Sequence, residues 1–362
     1  MLLKQNIIGF FIVITWFLAN YLIFIIISGD YFRSLLIIFF FDKHDSNYGN
    51  FYAAFSDFVI FGIVFSVITV GLFRRYNPVE ACRELAGHYR NHAVVIGYNH
   101  IGQRIIKYLR EFMGLDVVVV DFDRETIVEL IENGEPVVND NALYIETLED
   151  AGVSNAKAVF VMSDNLELLM VVCANVRELN DKCKLICRIF EDDFAEVISK
   201  TYNAQIISTS KYSADVILEK IEKGNYKNIL LVGLNHITAR LIKKLKESPE
   251  IKFQCIEEDE EVIEDMAIDD FCFVVGDPKE MSVLEQVKLN EIDCVINVNK
   301  DVTCNILITR RIRDLNPSCK IIARFFNDSV AEILEQPPFN VEVISSSKEA
   351  LEIMVSKGLL NF

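Results

Sequence analysis

Two short patterns in the sequence have the spacing of a turn that holds phosphate groups. In the first, the apolar run Ala93–Ile96 leads into Gly97-x-Asn99-x-x-Gly102, and Asp121 follows about 20 residues later. Such a turn lets backbone N–H groups face a phosphate, and the acidic side chain accepts hydrogen bonds from ribose hydroxyls. This chemistry is ligand binding rather than bond making, and it assigns a site to Gly97, Asn99, His100, Ile101, Gly102 and Asp121.

The second pattern repeats the first with changes. It reads Gly233-x-Asn235-x-x-Thr238, and Glu257 stands where the first pattern has its aspartate. Both patterns carry asparagine where a glycine lets a pyrophosphate approach the backbone, and the second also lacks the glycine that permits close helix–strand packing. Two interpretations stay open, a nucleotide site and a turn kept only for folding. Nucleotide binding is favoured more strongly for the first pattern.

The two patterns belong to an internal duplication. In both halves, short β-rich apolar runs alternate with amphipathic helical stretches, which is typical of βαβ units on a parallel sheet. We therefore predict two α/β Rossmann-type domains with doubly wound parallel sheets, copy one over residues 93–223 and copy two over 228–355. An offset of 136 residues superimposes Gly97 on Gly233, His100 on His236, Asp121 on Glu257 and Arg188 on Arg324.

Composition separates the chain into an apolar beginning and an acidic remainder. The 362 residues are 51% hydrophobic, the mean hydropathy is +0.26 and the formal net charge is −17. An acidic soluble part excludes nucleic acid as a partner, because phosphate backbones require a Lys/Arg footprint. The nine cysteines form no CxxC pair and mostly lie in apolar stretches. We interpret them as core side chains in a reducing compartment, and we assign no metal site.

The first 76 residues contain two apolar runs of membrane-spanning length, at about 6–28 and 51–73. Arg74 and Arg75 follow the second run, and the positive-inside bias places both chain ends in the cytoplasm. We predict a multi-pass protein of the cell membrane, in which residues 1–76 form the transmembrane module and a linker helix covers 77–92.

A third apolar stretch lies between the two runs. Residues 33–41 are too short to span a bilayer as a helix, so they form either a re-entrant half-helix or an interfacial one. The order of a helix, a half-helix, a polar turn and a second helix resembles the pore module of two-span potassium channels. The family filter reads T-V-G-Y-G-D, and its first glycine is absent here. The corresponding pore loop is Asp45, Ser46, Asn47, Tyr48, Gly49 and Asn50.

Both copies resemble the regulator of potassium conductance (RCK) family, also called the TrkA nucleotide-binding family. In copy one the resemblance is carried by Val120-Asp121-Phe122-Asp123, by Asp140 in a turn where the family has Gly-Asp-Ala, by Ser163-Asp164 and by Cys187-Arg188. Copy two matches with Gly276-Asp277 and Ala323-Arg324. The resemblance adds Asp140 and Asp164 to the site of copy one, and makes Gly233, Asn235, Glu257 and Asp277 the candidates of copy two.

The resemblance implies a function in ion transport. We expect a homo-oligomer, a tetramer by analogy, in which NAD(H) or another adenine nucleotide binds the Rossmann domains and gates potassium movement. The alternative is a non-conducting, membrane-tethered nucleotide sensor that regulates a separate potassium transporter. An enzyme is not expected, because no substrate domain supplies acid–base groups beside a nicotinamide.

Overall fold

The computed structural model describes residues 7–361 except 191, 267, 269, 270, 272, 300, 326 and 327. Residue 6, the start of the first predicted span, therefore lies outside the described residues. The chain divides into two compact units, unit one over Met1–Ala81 and unit two over Cys82–Phe362.

Unit one is helical. Its helices are α1 (Ile7–Ser28), α2 (Tyr31–Ile38) and α3 (Asn47–Tyr76). Phe24, Ile38 and Tyr52 are buried at its centre, where the Tyr52 hydroxyl donates to the Ile38 carbonyl at 2.9 Å. Among the described residues, no helix combines the length and the apolarity needed to cross a bilayer.

Helix α2 differs from the half-helix predicted for residues 33–41. It begins at Tyr31 because the Asp30 side chain accepts the N–H groups of Phe32 and Arg33 and caps the first turn. It ends at Ile38, and Phe40 adopts a positive φ of 61°. The prediction for residues 33–41 rested on apolar residues alone and did not identify the Asp30 cap.

The predicted pore loop is shorter than expected. The first turn of α3 consists of Asn47, Tyr48, Gly49 and Asn50. Of the six residues predicted for the pore loop, only Asp45 and Ser46 precede the helix. Ser46 explains this start, because its hydroxyl accepts the Gly49 N–H at 3.0 Å and its carbonyl accepts the Asn50 N–H at 3.0 Å. A serine at this position is a strong helix N-cap.

The linker helix is also shorter than its predicted span of 77–92. Helix α4 covers Pro78–Gly87, and the chain then tightens into a turn in which the N–H groups of His88 and Tyr89 bond three residues back. The Arg90 guanidinium donates to the Gly87 carbonyl at 2.8 Å and satisfies the helix end.

Copy one alternates strands and helices as its sequence pattern predicts. The strands β1, β2 and β4 are buried apolar runs, mostly of alanine and β-branched residues with Phe160 in β4, which suits a sheet covered on both faces. The elements are β1 (Ala93–Ile96), α5 (His100–Glu111), β2 (Val117–Val120), α6 (Arg124–Glu132), β3 (Val137–Val138), α7 (Ile145–Asp150), β4 (Ala158–Val161), α8 (Leu166–Leu179), β5 (Lys184–Arg188), α9 (Asp192–Tyr202), β6 (Ala204–Ile207) and α10 (Thr209–Gly224).

Copy two has the same order. Its elements are β7 (Asn228–Val232), α11 (His236–Leu245), β8 (Lys252–Glu257), α12 (Glu260–Asp265), β9 (Phe273–Val275), α13 (Met281–Gln286), β10 (Cys294–Asn297), α14 (Val302–Leu315), β11 (Lys320–Arg324), α15 (Asp328–Glu335), β12 (Glu342–Ile344) and α16 (Ser346–Ser356).

Each copy contains one parallel sheet of six strands in the described chain. The orders are β3-β2-β1-β4-β5-β6 and β12-β11-β10-β7-β8-β9, which are the same Rossmann order read in opposite directions. The first strand pairs with its neighbours on both sides, as in the register Val95 to Val119 and Val95 to Phe160. The predicted pair of doubly wound α/β domains is confirmed.

The two copies pack against each other through their helices. Helix α10 of copy one lies against α11 and α16 of copy two, and α16 also lies against α5. Reciprocal hydrogen bonds link the copies, since Arg104 Nε donates to Ser347 Oγ at 2.9 Å and Arg240 Nε donates to Ser210 Oγ at 3.3 Å. Arg104 and Arg240 are equivalent at the 136-residue offset, so the contact is pseudo-two-fold.

Candidate functional site

The glycine turn of copy one joins β1 to α5 at the carboxyl edge of the sheet. Gly97 has a φ of +99°, and a Cβ there would lie 3.3 Å from the Met162 carbonyl carbon and oxygen. At Gly102 a Cβ would lie only 2.2 Å from the Gly97 carbonyl oxygen. Both positions therefore require glycine, the first for its backbone angle and the second for close approach of the helix.

Asn99 caps helix α5. Its Oδ1 accepts the Gly102 N–H at 3.1 Å, and its Nδ2 donates to the Met162 carbonyl at 2.5 Å. The amide side chain thus joins the glycine turn to the end of β4 and occupies one of the N–H groups that the motif offers to a phosphate. His100 and Ile101 form the first turn of α5 beyond this cap.

Asp121 lies directly after β2 and contacts the glycine turn. Its Oδ2 accepts the Tyr98 N–H at 2.7 Å, and its Oδ1 accepts the Asp123 N–H at 2.9 Å. The structure therefore brings Asp121 beside the turn, with its carboxylate at the sheet edge where the ribose of a dinucleotide is held in this fold.

The other two predicted acids of copy one are engaged in ion pairs. Asp140, after β3, lies 2.5 Å from the Arg83 guanidinium of α4, and this hydrogen bond holds the pKa of the Asp140 carboxyl below its usual value. Asp164, after β4, lies 2.7 Å from Arg188 NH1. Neither partnership was predicted from the sequence.

The turn of copy two is built differently. Gly233 has a φ of +86°, and Thr238 donates its hydroxyl to the Gly233 carbonyl at 2.7 Å, where copy one has glycine. Asn235 caps α11 by accepting the N–H groups of Ile237 and Thr238 at 2.9 and 3.3 Å.

Glu257, at the end of β8, is directed inward. It is 8% exposed, and its carboxylate accepts the backbone N–H groups of Leu234, Glu258 and Asp259. Both oxygens of Asp121 also accept backbone N–H groups, but Asp121 is partly exposed whereas Glu257 is buried, so Glu257 is less suited to a ribose than Asp121. Asp277 pairs with Lys279 at 3.2 Å.

Five of the predicted site residues meet at a cavity of about 520 Å³ between the two copies. The cavity is not lined by the other seven predicted site residues, which are Gly97, Gly102, Asp121, Asp140, Gly233, Glu257 and Asp277. Sequence reasoning missed Arg188 and Arg324, which do line it, although the repeat offset paired them. The predicted residues in its lining are Asn99, His100, Ile101, Asp164 and Asn235.

The part of the chain that the structure describes holds no group of three or more His, Cys, Asp or Glu side chains arranged for a metal ion. The described cysteines are all free thiols, and every one except Cys304 is buried. Cys173 and Cys187 lie with their sulfurs 3.4 Å apart, and this hydrogen bond together with burial raises the pKa of the Cys187 thiol.

The comparison with protein families identifies the domain. The TrkA-N domain model matches residues 93–209 and again 229–346, more than half of the chain. The chain belongs to the TrkA-N domain family, whose fold is a dinucleotide-binding domain, and it carries two copies of that domain.

The curated relatives match over one domain's length. The putative cation/proton antiporter YbaL of Escherichia coli is 26% identical over 145 residues, which cover 40% of this chain and 24% of the relative. A Trk system potassium uptake protein TrkA homolog of Methanothermobacter thermautotrophicus is 26% identical over 144 residues, covering 39% of this chain and 65% of the relative. The chain therefore spans less than two thirds of either relative's length.

The solved structures match over almost the whole chain. The GsuK channel aligns with a TM-score of 0.73 and 18% identity, covering 98% of each chain. GsuK structures bound to ADP and to NAD align with TM-scores of 0.67 and 0.66 at 19% and 16% identity, covering 98% of this chain and 98% and 84% of the solved chains. At such identities the likeness shows a shared fold.

Proposed function

We propose that copy one binds NAD(H) or another adenine nucleotide, and that this binding regulates potassium transport. The observation that carries the proposal is the contact between the glycine turn and the acidic residue, in which Asp121 accepts the Tyr98 N–H at 2.7 Å. A turn, a helix start and a carboxylate are thereby held together at one sheet edge, as dinucleotide binding requires. The relatives named as potassium uptake proteins and the GsuK structures with NAD and ADP support it.

Copy two has a structural role in this proposal. Glu257 uses its carboxylate to accept the buried Leu234 N–H and the partly buried Glu258 N–H, and Asp277 is paired with Lys279. Removing the Glu257 carboxylate should therefore reduce stability rather than nucleotide affinity.

Calorimetric titration of the purified chain with NADH and with ADP tests this division of roles. We expect Asp121→Ala to weaken nucleotide binding by about tenfold or more, the loss of charge-assisted hydrogen bonds to ribose. The melting temperature should fall less than in Glu257→Ala, because the backbone bonds to Asp121 are only partly buried. We expect Glu257→Ala to lower the melting temperature and leave the affinity of the folded protein near wild type. Unchanged affinity in Asp121→Ala, or a larger loss of affinity in Glu257→Ala, would contradict the proposal.

The transport role that we propose is that of a channel in the cell membrane. Residues 1–76 would form two spans, at about 6–28 and 51–73, and both chain ends would be cytoplasmic. The chain would assemble as a tetramer that passes potassium or another cation. The alignment with the GsuK channel over 98% of each chain supports this architecture. The two spans and the tetramer stay predictions of the sequence.

The second candidate, a tethered nucleotide sensor acting on a separate potassium transporter, has one observation in its favour. Asn47–Asn50 lie in a helical turn, and helical backbone directs its carbonyl groups along its own axis rather than toward a pore axis. This geometry differs from a filter of stacked carbonyl rings.

Ion flux into proteoliposomes decides between the two candidates. For the channel we expect a cation-preferring current with weak discrimination of potassium from sodium. Asp45→Asn should reduce this current, because a ring of carboxylates attracts cations. Absence of current from verified oligomers would favour the tethered sensor.

Two further tests address the placement of the chain ends and the absence of catalysis. Protease cleavage of a tag after Phe362 from outside intact cells would refute the cytoplasmic placement. Catalytic turnover of NADH would refute a non-enzymatic role.

A further inference from the structure

His92 lies where the linker meets copy one, directly before β1. Its side chain is 0% exposed, and its Nε2 donates to the Ala151 carbonyl, just after α7, at 3.0 Å. A Cβ on Gly152 would lie 3.1 Å from His92 Cε1, so the backbone of that turn closes over the ring. Because Gly97 follows the carboxyl end of β1, His92 lies at the opposite edge of the sheet from the glycine turn.

One nitrogen of this buried ring has no hydrogen-bond partner. A carbonyl oxygen can only accept, so Nε2 carries the proton of the neutral ring and Nδ1 is an acceptor. Among the residues that the structure describes, nothing bonds to His92 Nδ1. A proton added at Nδ1 would bury both a charge and a donor without an acceptor, and such burial is costly in free energy. The closed arrangement therefore favours the neutral histidine.

The charges around His92 do not offset this cost. Burial has the largest effect and lowers the pKa of His92, the bond to Ala151 opposes this shift, and Arg90 adds to it. Asp116, before β2, raises the pKa but is exposed and has the smallest of these four effects. The surrounding elements also carry Tyr89, whose ring lies 6.1 Å from that of His92, Asp150 paired with Arg83, and the exposed Glu149 and Lys157.

The same junction holds the linker segment, residues 82–92, on copy one. At its start, Cys82 is 2% exposed, and its thiol donates to the Ile131 carbonyl at 3.7 Å. At its end, the Asn91 N–H donates to the Asn155 carbonyl at 2.9 Å, directly before the buried ring of His92. The linker segment therefore contacts copy one at both ends, and the second of these contacts depends on an uncharged ring.

We propose that His92 is a proton-sensitive latch, which holds the linker segment on copy one while its ring is neutral and releases the segment when the solution becomes acidic. Above about pH 6.5, the ordinary pKa of histidine, the ring is neutral in both the closed and the released forms. Below that pH, and down to the lower pKa of the closed form, the released form takes up a proton that the closed form excludes. The released population then rises by up to about tenfold per pH unit. The latch is separate from the glycine turn and does not rest on nucleotide binding.

Labelling of Cys82 by dithiodipyridine in the full chain tests the latch, because this thiol is buried on the linker segment and becomes accessible on release. The reference is His92→Gln, whose side-chain amide keeps an N–H donor for the Ala151 carbonyl and does not titrate. Dividing the wild-type rate by the rate of His92→Gln removes the pH dependence of the thiol itself. We expect this ratio to rise about threefold or more as the pH falls from about 7.5 to about 5.5.

His88→Gln is the matched control, since this histidine is exposed and bonds the Glu84 carbonyl one turn earlier. Its labelling rates should follow those of wild type at every pH. Cys255, buried in copy two, reports global unfolding and should not accelerate with Cys82. A ratio of wild type to His92→Gln that does not change with pH, loss of the rise in His88→Gln, or an equal rise at Cys255 would overturn the proposal. Where His92→Gln does not fold, the ratio of Cys82 to Cys255 labelling in wild type decides, and a constant ratio would likewise overturn it.

Discussion

Gly102 and Thr238 occupy equivalent positions of the two copies and meet the glycine turn in opposite ways. At Gly102 any Cβ would collide with the Gly97 carbonyl oxygen at 2.2 Å, whereas Thr238 donates its hydroxyl to the equivalent carbonyl of Gly233. The loss of the glycine in copy two is therefore compensated by a hydrogen bond.

We predict that Gly102→Ala destabilises the chain by about 1–3 kcal/mol, because the added methyl group meets backbone rather than a movable side chain. Urea unfolding followed by circular dichroism measures the change. Gly87→Ala is the matched control, since its Cβ would meet only the Asp150 carbonyl oxygen at an ordinary 3.5 Å. Equal stability of the two variants would show that α5 can shift to accept the methyl group.

At the level of single residues, the sequence predicted those whose role depends on backbone geometry. Gly97, Gly102 and Asp121 follow from spacing alone, and the structure places them together at one sheet edge. Asn99 was assigned to the site as a replaced glycine, but its capping role was not predicted, because its bonds to Gly102 and to the end of β4 depend on three-dimensional placement. A hydrogen bond to a backbone carbonyl 63 residues away leaves no periodic signal in the sequence.

Among the elements, α4 is held to copy one by the buried Ala86, by the Cys82 thiol, which donates to the Ile131 carbonyl at 3.7 Å, and by an ion-paired arginine. Arg83 bonds Asp140 after β3 at 2.5 Å and Asp150 at the end of α7 at 3.2 Å. A single guanidinium thus connects the linker helix with two separate elements of the Rossmann domain, near the carboxyl end of β3.

This connection should depend on pH. The hydrogen bond from Arg83 lowers the pKa of Asp140 in the folded protein, so Asp140 contributes stability above its unfolded pKa of about 3.9 and loses that contribution as the pH falls through the folded value. We predict that Arg83→Met lowers the melting temperature at pH 7, and that the difference from wild type narrows below about pH 4. Differential scanning fluorimetry between pH 7 and pH 3 measures it.

Arg310→Met is the control for the loss of an exposed ion pair, and it should change the melting temperature little at any pH. A difference between wild type and Arg83→Met that stays constant down to pH 3 would show that packing of the Arg83 stem, rather than its charge, holds α4.

The helices of the first 90 residues show where sequence patterns fail at element ends. Apolar runs located α1, α2 and α3, but the caps at Asp30 and Ser46 set the starts of α2 and α3. Single polar side chains decide these boundaries, and an apolar pattern carries no information about them.

In the molecule as a whole, copy one and copy two of unit two are joined by reciprocal contacts. The hydrogen bonds from Arg104 to Ser347 and from Arg240 to Ser210 cross the pseudo-two-fold axis in opposite directions, and Lys220 of copy one pairs with Glu342 of copy two. We expect the two copies to unfold together rather than as independent domains.

A double-mutant cycle tests this coupling. We predict an interaction energy of about 0.5–1.5 kcal/mol between Arg104→Gln and Ser347→Ala, the usual net contribution of one hydrogen bond. Urea unfolding gives the four free energies of unfolding. Arg104→Gln combined with Thr126→Ala on α6 is the control and should be additive, since Thr126 is exposed and bonds only within its own turn. Two separate unfolding transitions would contradict joint unfolding.

The 136-residue offset predicted two copies of one fold, and the sheets confirm it. The offset did not predict how the copies dock, because a repeat fixes the residues of each surface and leaves their pairing open. Arg188 and Arg324 were recognised as equivalent, yet only the packing of α10, α11 and α16 brings them to one cavity.

The duplication has a genetic consequence for that cavity. In a symmetric homodimer, one codon encodes both halves of a shared pocket, so each substitution is made twice and the halves cannot diverge. Here Arg188 and Arg324 are separate codons, and each half can drift alone. The two copies already differ at Asp121 and Glu257, and at Gly102 and Thr238, all outside the lining of the cavity. A single point mutation can therefore alter one half of the pocket and leave the other half unchanged. A homodimer could do this only by pairing a mutant subunit with a wild-type subunit.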